Sequence, residues 1–194
     1  MRSSREQKSL LRRRIILERR SMTNFEIEEK SVIICRKLLE NEQFASVNNV
    51  LLYLPVNGEV DTKYVLGQFH KKKISIFLPA YLKKGKKWEI LKFENSDDLE
   101  VGPFGIMQPR RVGIYHPSII DLAIVPVVAF SKDLNRLGYG KGVYDRLLGG
   151  LKTTKVGLAY EFQRVETLPV EPHDVKMDYV VTEKKIYTSK SSST

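Results

Sequence analysis

Residues 121–130 read D-L-A-I-V-P-V-V-A-F and carry no charge after the first position. A strand that is apolar on both alternating faces must be covered on both sides, as a central strand of a helix-flanked parallel sheet is. Two shorter runs agree. V-L-L-Y-L-P (50–55) ends at a proline, the loop N-G-E-V-D-T follows, and a helix is expected to start near Asp61 or Thr62. I-S-I-F-L (74–78) comes next and is stopped by Pro79. Strand, loop, helix, strand is a βαβ unit, so the sheet is at least partly parallel. The fold class expected is α/β: three layers, a mostly parallel sheet with helices on both faces, in a single domain. A chain of 194 residues is long enough for one such core.

Around this centre the pattern is mixed. Residues 5–20 read as a helix with Leu10, Leu11, Ile15 and Leu17 as its apolar side. Arg5, Lys8, Arg12 and Arg19 recur at helical spacing on one stripe, which either snorkels over the core or covers a phosphate site. Thr23 and Asn24 are N-cap candidates for a second helix to about residue 42. Lys83 to Lys87 form a basic turn before W-E-I-L-K-F, an alternating strand in which Trp88 is expected to pack in the core or at an edge. Residues 95–119 hold Pro103, Gly105, Pro109 and Pro117 and read as a long irregular loop, a lid or binding loop. A helix from about Val143 to Leu148, a strand at 155–159 and a final strand at 179–182 follow, with 189–194 as a frayed tail after a domain of 1–188.

Composition enters through charge and cysteine. A formal net charge of +10 points to anionic partners: nucleic acid, acidic membranes or highly charged small molecules. No apolar run approaches the roughly 20 residues of a membrane span, and the N-terminus lacks the apolar region of a secretory signal. Cys35 is the single cysteine, which excludes an intrachain disulfide, fits a cytoplasmic location, and reads as a small buried hydrophobe. His70 and His116 read as solvated and turn residues, while His173, beside Asp174, is a candidate neighbour of a nucleotide. No zinc-site spacing occurs.

The stretch 135–146, N-R-L-G-Y-G-K-G-V-Y-D-R, carries the chemistry. Glycines at 138, 140 and 142 let backbone amides approach a single anion. Arg136 and Lys141 supply matching charge, and Asp145 offers a hard oxygen ligand for magnesium accompanying a nucleotide. The plain alternative is a tight turn with a solvated basic tip. Two cations and an acid within a dozen residues, in a strand–glycine loop–helix context, favour a phosphate site.

Taken in order, Lys8-x-x-x-Arg12, G-E-V-D-T (58–62), F-G-I-M-Q-P (104–109), the apolar run, the glycine loop and L-P-V-E-P-H-D-V-K-M-D-Y-V-V-T (168–182) resemble the 5-formyltetrahydrofolate cyclo-ligases over nearly the whole chain. The resemblance implies an ATP- and magnesium-dependent cyclisation of 5-formyltetrahydrofolate, polyglutamylated or not, to 5,10-methenyltetrahydrofolate, with release of ADP and phosphate. It implies Arg136 and Lys141 as catalytic cations, and Lys8, Arg12, Leu54, Arg136, Leu137, Gly138, Tyr139, Gly140, Lys141, Gly142, Val143 and Tyr144 around the nucleotide. On the folate it implies Glu59 with Tyr139, Gly140, Lys141, Gly142 and Val143, and on magnesium Asp145 and Asp174. Without that resemblance Glu59 reads as an acid stabilised at a helix start and Asp174 as a turn residue. Members of the family carry two tyrosines where this chain has Val143-Tyr144, so a hydroxyl and an aromatic face are missing beside the folate. The expectation is a monomer with no specific nucleic acid and no membrane partner. Two other readings stay open here: a basic nucleic-acid-binding protein, and an α/β enzyme acting on other phosphorylated substrates.

Overall fold

The computed structural model describes residues 3–110 and 113–188. In chain order the elements are α1 (Ser4–Arg20), α2 (Asn24–Glu40), β1 (Asn49–Leu51), α3 (Lys63–Lys71), β2 (Ser75–Leu82), β3 (Lys87–Phe93), β4 (Leu99–Val101) and β5 (Met107–Pro109). There follow β6 (Ile114–Tyr115), β7 (Leu122–Pro126), β8 (Ala129–Ser131), β9 (Arg136–Leu137), α4 (Val143–Leu148), β10 (Thr154–Leu158), β11 (Arg164–Val165), β12 (Tyr179–Val181) and β13 (Ile186–Thr188). Ser3 with Glu6 and Thr23 with Glu26 cap α1 and α2 reciprocally: each hydroxyl accepts the third helical amide, and each carboxylate accepts the cap amide.

One eight-stranded sheet runs β13-β12-β10-β7-β1-β2-β3-β6. From β12 to β2 neighbours are parallel, and the edge pairs are antiparallel. The β1–α3–β2 and β7–α4–β10 crossovers leave the centre in opposite directions. Right-handed crossovers therefore put α3, with its neighbour α2, on one face and α4 on the other. The reversal falls between β1 and β7, and the crevice at their C-terminal ends is where such sheets bind ligands.

Several boundaries differ from the sequence expectation. Pro79 does not stop β2, which continues to Leu82 and pairs antiparallel with β3, Pro79 opposite Ile90. The Phe77 carbonyl faces the β1 side, accepting from Leu52 N–H at 2.8 Å, so Pro79 faces the same side two residues on. β1 has ended there, and no donor is needed. The long loop is organised: β4 and β5 pair antiparallel, β6 joins the β3 edge, and Pro103 and Pro117 open single 3-10 turns, where a missing amide costs nothing. The apolar run 121–130 divides. β7 is central as expected, but β8 turns into a second sheet of order β11-β8-β9. Tyr179–Val181 is followed by one more strand, the antiparallel β13; the tail 189–194 lies outside the described residues.

The apolar side expected of α1 is also revised. Leu10 and Leu17 are 47% and 57% exposed, whereas Lys8, Ile15 and Arg19 are buried. The stripe Lys8–Arg12–Ile15–Arg19 faces inward, with Ile15 packed in a small cluster with Val128, Ala129 and Leu137. Buried cations need partners, and these come from chain segments far away in sequence. Cys35 is fully buried and burial pushes its thiol up to about 12, so it is an inert core residue. His70 and His116 are exposed, the latter accepting the Ser118 amide at the start of a 3-10 turn. Among the described residues no helix is long and apolar enough to cross a membrane.

Candidate functional site

A cavity of about 720 Å³ opens at the topological reversal. Its floor is the segment after β1 (Tyr53, Leu54) and the middle of β2 (Leu78, Pro79) with Trp88 of β3; α1 contributes Arg5, Lys8 and Arg12. The strap Phe104–Met107, the glycine loop and the segment 171–174 complete it. The residues that the family resemblance implies for the site all line this one space: Lys8, Arg12, Leu54, Glu59, Arg136, Leu137, Gly138, Tyr139, Gly140, Lys141, Gly142, Val143, Tyr144, Asp145 and Asp174. Trp88, expected in the core or at an edge, does pack on the core, edge-on to Tyr81, and also faces the cavity.

In the glycine loop, residues 140 and 142 take φ of +84° and +60°, which glycine adopts without strain. Gly138 is required for proximity instead: a Cβ there would stand 2.7 Å from Arg136 Nη1. The Arg12 Nε donates to the Gly138 carbonyl at 2.7 Å, tying α1 to the loop. The side chain of Arg136 is almost wholly enclosed; its Nη2 donates to Asp145 Oδ1 at 3.1 Å and its Nη1 to the Pro126 carbonyl at 3.3 Å, while Nε is buried with no partner among the described residues. Lys141 differs. It is exposed, has no ion-pair partner among the described residues, and places Nζ 4.5 Å from the centre of the Phe104 ring. Gly138→Ala is expected to displace the Arg136 guanidinium and lower turnover by up to about 100-fold, since misplacement by an ångström costs on that order. Unchanged turnover at wild-type thermal stability would remove the proximity argument.

The carboxylates of the segment 171–174 balance α1. Lys8 Nζ lies 2.6 Å from Asp174 and 3.0 Å from Glu171, and Asp174 also accepts the Glu171 amide at 2.8 Å. Burial alone would raise Asp174, but the Lys8 and amide hydrogen bonds hold it below the ordinary value; the same pair keeps Lys8 raised against its own burial. Lys8 is therefore a cation and Asp174 an anion throughout the neutral range. Glu171, His173 and Asp174 bring ligand atoms within 4.8 Å of one another. Asp145 stands outside that cluster, paired to Arg136, so the two aspartates grouped from the sequence are held by two different cations. Carboxylate oxygens of Glu171 and Asp174 suit a hard ion such as magnesium. Glu171 was not singled out in the sequence; its signal was its place three residues before Asp174, which only the fold turns toward Lys8.

Glu59 is 4% exposed, far from the solvated helix-start role that its position before α3 allows. It closes a tight turn, its amide donating to the Val56 carbonyl at 3.1 Å and its carboxylate accepting the Val56 amide at 3.0 Å. Burial raises its carboxyl to about 7, against the lowering effects of the Val56 amide, Arg19 and Tyr139. The folded state thus holds this proton more tightly than the unfolded chain does, and between the ordinary value of 4.5 and about 7 stability from this group falls as pH rises. Glu59→Gln is expected to stabilise the ligand-free protein at about pH 8 by on the order of 1–3 kcal/mol, the gain vanishing near pH 5. Denaturant unfolding at both pH values checks this; equal stability of the two proteins at the higher pH would contradict it.

Residues 4–183 match the model of the 5-formyltetrahydrofolate cyclo-ligase family. The chain is 26% identical over 177 residues to the 5-formyltetrahydrofolate cyclo-ligase of Mus musculus, covering 84% of this chain and 87% of that one. The NMR structure of Aquifex aeolicus 5,10-methenyltetrahydrofolate synthetase is 35% identical and superposes with a TM-score of 0.84 over 96% of this chain and 95% of that one. A 5,10-methenyltetrahydrofolate synthetase from Mycoplasma pneumoniae is 26% identical, with a TM-score of 0.74 over 91% and 98% of the two chains.

Proposed function

The chain belongs to the 5-formyltetrahydrofolate cyclo-ligase family over residues 4–183, and we propose on that footing that it uses ATP to cyclise 5-formyltetrahydrofolate to 5,10-methenyltetrahydrofolate. The observation that carries the residue-level reading is the two-ended chemistry of one cavity. Four cations, Lys8, Arg12, Arg136 and Lys141, line the same cavity as a buried carboxylate, Glu59, and the apolar Leu78, Pro79, Trp88 and Met107, and this supports a phosphate end and a pterin end.

The chemical problem is an unreactive formyl group. Its carbon is amide-like, and N10 is a weak nucleophile. When the formyl oxygen attacks the γ-phosphorus of ATP, the bond to the bridging oxygen breaks and ADP leaves. The resulting iminium phosphate is an electrophile with a good leaving group. N10 attacks that carbon within the same molecule, N10 loses its proton, and the C–O bond breaks to release phosphate, leaving the methenyl bridge. Positioning and charge stabilisation are what the protein must supply.

Lys141 and Arg136 meet the phosphoryl group as it transfers, Lys8 and Arg12 neutralise the remaining phosphates, and the backbone of residues 138–142 cradles them. Leu54, Leu137 and Tyr144 complete the nucleotide side. Glu59 accepts two hydrogen bonds from the aminopyrimidinone edge of the pterin, with Tyr139 and Val143 along its ring. Asp174, with Glu171 beside it, and Asp145 once Arg136 turns to phosphate, are the groups that would hold magnesium. Bound there with the nucleotide, magnesium would supply charge neutralisation at the phosphates.

One domain, 1–188, holds both substrates in this reading, and the enzyme is monomeric and cytoplasmic. The basic hairpin tip at 83–87 precedes Trp88 of the cavity wall and supports acceptance of polyglutamylated folate. The inward-facing stripe of α1 supports small anions, rather than nucleic acid, as the use of the positive charge. Substrate carrying ¹⁸O in its formyl group tests the route: the label is expected in the released phosphate. Unlabelled phosphate would refute phosphorylation of the formyl oxygen.

A further inference from the structure

Arg19 is 1% exposed, the largest fully buried side chain, and stands outside the set of residues that line the cavity. A guanidinium kept for stability alone is ordinarily matched by a carboxylate, yet Arg19 has no ion pair among the described residues. Its donors go elsewhere. Nε donates to the Asn57 carbonyl at 3.0 Å, Nη2 donates to the Tyr139 hydroxyl, and the guanidinium carbon lies 5.6 Å from the centre of the Tyr139 ring. Nη1 is buried with no partner among the described residues.

The two residues it holds, hydrogen-bonded to each other through their side chains, both adjoin Glu59. Asn57 and Gly58 take φ of +52° and +72°, the left-handed pair that delivers Glu59 into the cavity. Gly58 packs directly on Arg19: a Cβ there would meet Arg19 Cγ and its carbonyl oxygen, each at 3.6 Å. Tyr139 accepts from Arg19 and is itself a hydrogen-bond partner of Glu59. A hydroxyl that accepts a guanidinium N–H directs its own proton away from it, toward the carboxylate.

We propose that Arg19 is a positioning residue for the folate reaction: from α1 it fixes the Asn57–Gly58 turn and the Tyr139 phenol together, so that Glu59 presents an ionised carboxylate to the substrate. This rests on the role given to Glu59 above. The other titratable groups facing Glu59 are Tyr53 after β1, Tyr139 in the glycine loop and Tyr144 in α4. Burial keeps all three phenols raised above their ordinary value, hence neutral in the working range. Arg19 is then the charged neighbour that favours the ionised form of Glu59, against the burial that opposes it.

The test compares wild type, Arg19→Met and Arg19→Lys by two readouts: the Glu59 carboxyl titration, followed by ¹³C NMR in glutamate-labelled protein and assigned by its loss in Glu59→Gln, and equilibrium binding of 5-formyltetrahydrofolate without ATP. Arg19→Met is expected to move the Glu59 midpoint upward and to weaken folate binding by about tenfold at neutral pH, a pH unit corresponding to a factor of ten, while ATP affinity stays unchanged. Arg19→Lys, which keeps the charge, is expected to keep the midpoint near that of wild type. A purely structural residue would lower thermal stability in both variants and leave the midpoint alone; that outcome overturns the proposal. If Arg19→Met does not fold, Arg19→Gln removes the charge while keeping a side-chain donor toward the Asn57 carbonyl and the Tyr139 hydroxyl. An upward midpoint then upholds the proposal and an unmoved one overturns it. Failure of wild type to bind the folate would strike the substrate assignment instead, and the carboxyl titration would still decide what Arg19 does to Glu59.

Discussion

Replacing Lys141 with alanine is expected to lower kcat by about 100- to 1,000-fold, the scale for removing one charge-stabilising donor from a preorganised site, with folding preserved. Lys141 is exposed, and among the described residues its ammonium touches an aromatic ring rather than a carboxylate. No buried charge is stranded by its removal, so a loss of rate reads on chemistry. Arg136 is the weaker diagnostic. It anchors Asp145 and the Pro126 carbonyl, and its loss leaves a partly buried carboxylate unpaired, mixing stability with rate. Single-turnover kinetics separate the two: Lys141→Ala is expected to slow the chemical step without altering the dissociation constant for ATP by more than a few-fold. Near-normal turnover would remove Lys141 from the catalytic group.

The second large effect belongs to Glu59. Glu59→Gln is expected to raise the KM for 5-formyltetrahydrofolate by about 10- to 100-fold, because a charge-assisted hydrogen bond contributes roughly 1.5–3 kcal/mol and an amide nitrogen opposes one of the two substrate donors. The KM for ATP is expected to stay put. The same change stabilises the ligand-free protein above neutral pH, so one carboxylate is costly in the empty site and favourable in the filled one, the trade expected of a functional group. In wild type the folate KM rises as pH falls through about 7, because the carboxyl then takes up the proton that the substrate donors must displace. A KM that is flat across that range, or a Glu59→Gln enzyme with wild-type folate KM, would deny the role.

What the sequence made legible was short-range. The glycine loop and the start of α4 at Val143 follow from residues within a dozen positions of one another, and both stand where expected. The βαβ unit and the central position of 122–126 follow from apolar run length, which burial on both faces demands. What was misread depends on partners distant in the chain. Pro79 looked like a stop because nothing local says that β1 ends opposite it. Residues 95–119 looked irregular because the β4–β5 pair and the seat of β6 on β3 are set by tertiary pairing through short, proline-punctuated strands. Helical spacing put Lys8, Arg12 and Arg19 on one stripe but could not say which side was inside: the answer lies in Glu171 and Asp174, more than 160 positions away, and in the Asn57 and Gly138 carbonyls. Hydrophobic patterning alone turns Leu10 and Leu17 inward, and the paired cations win because their partners are waiting at the cavity. Val143 lines the cavity beside Tyr144.

The most direct test of the central claim is the absorbance of the methenyl product, followed with purified protein, 5-formyltetrahydrofolate, magnesium and ATP, against the same mixture without ATP. The account predicts a rise that requires ATP and is matched mole for mole by ADP. No rise from folded protein, or a rise indifferent to ATP, would contradict it.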